Sequence, residues 1–175
     1  MKIEKVIIPK ASVLAQRKYD YADSYRASIT DPEAKVDLNR VAKAFFTAAP
    51  PWVAYLFELR NKIVGLIGLK TGAAVDDPAS ILAKADFKAG DQLGLFKVYE
   101  RSIQEMILGA DDQHLDFRVS LFLTEVVAEQ RELTVTTIVD FHNRLGRIYF
   151  FFVKPFHQLI VKRMLKAMLH DLKAN

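Results

Sequence analysis

The chain has no cysteine, which excludes a disulfide framework and any thiolate metal site. It lacks long apolar runs. The longest, residues 148–153, ends at Lys154, far short of the roughly 20 residues that a membrane span needs. The N-terminus shows no export signal, because Val6-Ile7-Ile8 is too short an apolar core. Together these absences point to a cytoplasmic protein with no transmembrane segment. His114, His142 and His170 show no metal spacing, no His-x-x-x-His or Glu-x-x-His pair occurs, and no metal or cofactor is expected. Gly65-x-x-Gly68 sits at an apolar helix end and cradles no phosphate, and there is no Gly-x-Ser-x-Gly nucleophile elbow.

Apolar residues make up 51% of the 175, with twelve Phe, six Tyr and one Trp, so the chain is no disordered segment. That length suits a single domain over residues 1–175. The net charge of +4 is unevenly spread. Residues 142–175 hold seven Lys/Arg against one acid, Asp171, while residues 1–141 hold 18 bases and 20 acids. The basic character therefore lies in the C-terminal segment.

Along residues 18–29, Tyr19, Tyr21, Asp23, Tyr25, Ala27 and Ile29 recur at period two and read as one face of a strand. Asp37 is placed to cap a helix carrying Leu38, Val41, Ala42 and Phe45, and Pro50-Pro51 ends it. Trp52, Tyr55, Leu56, Leu59, Ile63, Leu66 and Ile67 form a second helical stripe. A glycine-loosened stretch follows from about residue 70 to residue 92. Strands are then expected at 93–99 and 104–109, and two alternating runs, 115–124 and 133–141, form a hairpin through a four-residue turn at 128–131. Residues 6–8 could add a weak further strand. A turn at Asn143-Arg144-Leu145-Gly146 precedes a helix of roughly 25 residues, expected to kink or restart at Pro155. Its apolar side is read as Phe152, Phe156, Leu159, Ile160, Met164 and Ala167, and its polar ridge as Lys154, Gln158, Lys162, Lys166 and Lys173. Strands segregated from helices argue for an α+β fold.

Several short motifs, in order, carry a resemblance: Tyr21-Ala22-Asp23-Ser24-Tyr25-Arg26, Ala49-Pro50-Pro51-Trp52 with Leu59-Arg60-Asn61, and His114-Leu115-Asp116-Phe117-Arg118-Val119-Ser120. Asn143-Arg144-Leu145-Gly146-Arg147-Ile148-Tyr149 and Lys154-Pro155-Phe156-His157 complete the set. On these the chain resembles the bacterial domain of unknown function 2867 family, within the START-like (SRPBCC) superfamily. The resemblance implies a helix-grip fold, in which a curved antiparallel sheet wraps a long C-terminal helix and encloses an apolar cavity. That superfamily hosts lipid-transfer modules, cyclases, receptors and chaperone co-factors, so the fold by itself selects no function.

If the face bearing Asp23 lines such a cavity, Asp23 is a candidate acid or base, and Glu100 or Glu105 could share the work. The competing readings are an Asp bonded to a neighbouring Tyr or Arg, and solvated strand glutamates. His157 is a second candidate base, against the alternative of a histidine bonding a carbonyl freed by Pro155. Tyr149 could orient a substrate. The foremost expectation is binding, rather than catalysis, of a small hydrophobic molecule in a cavity walled by Tyr21, Tyr25, Trp52, Phe117, Phe152 and Phe156. The alternatives are a cyclase-, isomerase- or hydrolase-type enzyme using Asp23 or His157, and an interaction module whose basic C-terminal helix meets an anionic membrane or an acidic partner. No aromatic-interleaved strand motif for single-stranded RNA is present, and no nucleic-acid partner is expected. The oligomeric state is not written in the sequence.

Overall fold

A computed structural model describes residues 2–48, 86–127 and 129–174. The expected helix bearing Trp52 and most of the glycine-loosened stretch lie outside these residues. The described elements are an α+β arrangement, as expected. Seven strands form an antiparallel sheet: β1 (Glu4–Lys5), β2 (Tyr21–Thr30), β3 (Gln92–Leu93), β4 (Phe96–Arg101), β5 (Glu105–Asp111), β6 (Leu115–Val127) and β7 (Gln130–Phe141), in the spatial order β1-β2-β7-β6-β5-β4-β3. Helix α1 is Leu38–Thr47 and helix α2 is Arg144–Ala174.

Alternation along β2, β6 and β7 divides the sheet into two faces. The register aligns Tyr25 with Val135, and Val135 with Leu121, building an apolar row on one face. Ala27, Leu133 and Leu123 form the next row on the same face. Helices α1 and α2 cover that face. Val41, Ala42 and Phe45 of α1 and Val161, Leu165, Met168, Leu169 and Leu172 of α2 complete the main core. The capping of α1 is as the sequence predicts, with the Asp37 carboxylate accepting the Arg40 N–H at 2.8 Å.

The opposite face is also partly covered, by a short 3-10 turn at Val13–Gln16. Leu14 of this turn is fully buried against Ile107 and Ile138. The weak N-terminal strand lies at Glu4–Lys5, pairing with Arg26 and Tyr25, instead of at residues 6–8.

The β6–β7 hairpin is tighter than expected. Val127 and Gln130 are paired, so the loop is two residues long, and Glu129 takes the left-handed conformation at φ 69°. The polar residues Gln130 and Arg131 that suggested a turn are in the strand. Arg131 earns its place by bonding the buried Asp31 at 2.8 Å.

Helix α2 starts earlier than expected. The residues read as a turn are its cap and first turn, with Asn143 Oδ1 accepting the Gly146 N–H at 3.0 Å. The helix runs through Pro155 without a second start. Proline removes one backbone bond, to the Phe151 carbonyl. Both residues lie on the exposed side of the helix, where solvent can take that bond. Among the described residues, no helix is long and apolar enough to cross a membrane.

Candidate functional site

Along the inner face of β2, toward its start, the row turns from apolar to polar. Asp23 shares this face with Tyr21 and Tyr25 and lies opposite Thr137 of β7. Helix α2 passes over this end and brings Phe150, His157 and Gln158 to it. Tyr21 donates its phenol hydrogen to Asp23 Oδ2 at 2.8 Å, and Gln158 Nε2 donates to the Tyr21 hydroxyl at 3.0 Å. His157 Nε2 stands 3.4 Å from Asp23 Oδ1. The Asp23 side chain is 1% exposed and that of His157 20%.

Aromatic rings enclose the cluster. Tyr21 meets Phe150 at 4.7 Å and His157 at 6.4 Å between centroids, and Phe150 meets Phe141 at 5.4 Å. Burial pushes the Tyr21 phenol far above its ordinary range, and its bond to Asp23 adds to the effect. Tyr21 therefore serves as a neutral donor that orients the carboxylate. Lys154 Nζ lies 5.2 Å from the centre of the Tyr21 ring, and Lys162 Nζ the same distance from that of Tyr25.

Thr137 is the odd member. Its hydroxyl is buried and has no hydrogen-bond partner among the described residues. A hydroxyl removed from water without a partner costs about 1–3 kcal/mol. It sits across the strand pair from a buried carboxylate, at the end of the sheet where Tyr21, Phe96 and Phe117 are only half-buried. At the far end, under Leu165, Met168 and Leu172, the space between sheet and helix is filled by core side chains.

The structure brings together Asp23, His157 and Tyr21 of the residues singled out by sequence. Tyr25 is buried in the core beside them and Phe117 is half-buried on the same face. Tyr149 is half-buried on the first turns of α2 and takes no part in the bonds just described. Trp52 lies outside the described residues.

Phe152 and Phe156 do not wall the space between sheet and helix. They are 67% and 52% exposed, on the opposite side of α2. The inward side is instead Phe150, Val161, Leu165 and Met168. The physical reason is that residues 148–153 are apolar without interruption. Such a helix start is apolar all round, and periodicity cannot choose its buried side.

The glutamates are not partners of Asp23. Glu100 is exposed and pairs with Arg17 at 3.4 Å. Glu105 is on the opposite face of the sheet, and it is buried, not solvated. It accepts bonds from the Ser12 hydroxyl at 2.5 Å, the Val13 N–H at 2.9 Å and the Ser120 hydroxyl, which fasten the 3-10 turn to the sheet. His157 faces a carboxylate, not a backbone carbonyl. His142 pairs with Asp116 at 3.1 Å and His114 with Asn143. Among the described residues no group of three or more metal-ligating side chains converges.

Thr137 and Gln158 were missed by sequence reasoning. Thr137 is the one polar member of the row Leu133, Val135, Val139 and Phe141, a signal that was visible. Gln158 was placed on the polar ridge with Lys154 and Lys162, but this ridge runs along the seam with β2, where all three meet tyrosines.

A family model described as "Protein of unknown function (DUF2867)" matches residues 15–164. No curated protein and no solved structure matches the chain significantly.

Proposed function

The chain belongs to the DUF2867 family, whose description assigns no activity, and from the site itself we propose that it binds a small, largely apolar molecule carrying one hydrogen-bonding head. The head would meet Asp23 and Thr137, and the apolar body would lie against Tyr21, Phe117 and Phe96. The single observation that carries this reading is the buried Thr137 hydroxyl, without a hydrogen-bond partner among the described residues, opposite a buried carboxylate on a face otherwise apolar. Ligand sites are commonly apolar with a few converging polar groups. The helix-grip arrangement of the START-like superfamily is part of the proposal, supported by a long C-terminal helix lying on one face of an antiparallel sheet.

Native mass spectrometry of freshly purified protein tests this reading. The expected spectrum shows a discrete mass above that of the polypeptide, released at higher collision energy. Thr137→Val replaces the hydroxyl with a methyl of similar size. It should keep the fold, because an unpartnered hydroxyl contributes nothing to it, and should lose the added mass. A bare polypeptide mass for the wild-type protein would overturn the proposal.

An enzyme is the second reading, favoured by the 3.4 Å approach of His157 to Asp23. The imidazole would exchange a proton with the bound molecule while the carboxylate, held by Tyr21, orients it. His157→Gln should then abolish turnover of the identified ligand but leave the added mass in place. Equal turnover by wild type and variant would exclude this role.

A further inference from the structure

Helix α2 turns a row of large apolar side chains to solvent. Leu145, Ile148, Phe152, Phe156 and Leu159 follow one another at helical spacing, with Phe151 beside them, and all six are among the exposed large hydrophobic residues. Phe151 is 73% exposed. On a helical wheel the same side continues into Arg163 and Lys166, and Arg144 and Lys162 flank it. Residues 144–166 contain six Lys/Arg and no acid. Contiguous exposed aromatic and aliphatic groups mark contact surfaces. Bulky apolar groups in the company of basic side chains are the pattern of helices that lie in the interface of an anionic bilayer.

We propose that the exposed side of α2 docks on the surface of an anionic phospholipid membrane. Phe151, Phe152 and Phe156 would enter the acyl boundary while Arg144 and Lys166 meet the headgroups. Charge decides between this occupant and a second copy of the chain. A self-association through α2 would set one cation-rich, acid-free helix segment against another, whereas an acidic bilayer complements it. The site around Asp23 lies on the other side of the same helix, so docking leaves it clear.

Vesicle flotation tests the proposal. Vesicles of phosphatidylcholine with roughly a third phosphatidylglycerol should carry the protein, and pure phosphatidylcholine should bind at least about tenfold more weakly. Physiological salt should weaken the binding without abolishing it. The variant Phe151→Gln, Phe152→Gln, Phe156→Gln should fail to float yet melt within a few degrees of wild type. The variant Arg144→Gln, Lys166→Gln should lose most of the preference for anionic vesicles. No flotation, equal binding to neutral vesicles, or a large loss of stability in the triple variant would overturn the proposal, the last because it would show the side to be covered within the fold. A stable dimer in light scattering that the triple variant converts to monomer would overturn it too, by assigning the surface to self-association.

Discussion

Burial of a charged or polar side chain is informative at the level of single residues, because each case has to be satisfied. Asp31 is satisfied by the N–H groups of Lys35 and Val36 and by Arg131. Burial alone would raise its carboxyl, but these bonds outweigh it and hold the group below its usual range. Asp140 is the reverse. Asp111, Asp116 and Asp140 stand directly opposite one another across β5, β6 and β7. Arg118 engages Asp111 at 2.6 Å and His142 engages Asp116 at 3.1 Å. At Asp140, burial first and then the charges of Asp20 and Asp116 push the carboxyl upward, and together they outweigh the opposing pull of Arg118 and His142. A carboxyl raised in the folded state favours folding when protonated, and that contribution is lost as pH rises through the raised value. Asp140→Asn is therefore expected to stabilise the protein at pH 7, by up to about 1 kcal/mol, the range for a like-charge cross-strand pair. The gain should disappear below about pH 4, where the aspartate is protonated in both states. Urea unfolding at both pH values measures this, and a destabilised variant at pH 7 would contradict it.

Among the elements, the start of α2 shows which of two opposing effects dominates. Gly146 lies in the first helical turn, where helix propensity alone favours Ala by about 1 kcal/mol. The backbone leaves no room for it. A Cβ at this position would sit 2.1 Å from the His114 carbonyl oxygen. That oxygen cannot give way easily, because it accepts the His142 N–H at 2.9 Å. Overpacking of this kind costs typically about 1–3 kcal/mol. Gly146→Ala should lower the unfolding midpoint, and a raised midpoint would show that the helix start shifts freely. The same close approach locks the first turn of α2 to the β5–β6 end of the sheet, which fixes the phase at which Phe150, His157 and Gln158 arrive over Tyr21 and Asp23.

For the whole molecule, α2 is the lid of the main core. Six of its side chains, Phe150, Val161, Leu165, Met168, Leu169 and Leu172, are buried. At roughly 1.5–3 kcal/mol for each buried apolar side chain, their loss is comparable with the about 5–15 kcal/mol that stabilises an ordinary domain. A chain ending at Gly146 should therefore be insoluble or lack a cooperative melt. A soluble truncation product with a sharp thermal transition would make α2 an appendage. It would also remove the basis for a site between the sheet and α2, since His157 and Gln158 belong to the helix.

The sequence by itself determined the α+β order, the Asp37 cap, the strand rows on β2, β6 and β7, and Asp23 as the polar exception within its row. These follow from local spacing and capping chemistry, which need no knowledge of neighbours. It also selected His157, but could not say that His157 faces Asp23, since 134 residues separate them. Three things were decided only by tertiary structure. The first is the phase of α2, because a helix start that is apolar all round offers no buried side until the sheet and the clash-free approach of Gly146 choose one. The second is the fate of the glutamates, because Glu105 reads as a solvated strand residue until the 3-10 turn brings Ser12 and the Val13 N–H against it. The third is the meaning of Thr137, which is an ordinary strand threonine until the register sets it across from a buried carboxylate. In each case the deciding partner lies far away in the chain, and only strand pairing and helix packing bring it within bonding distance.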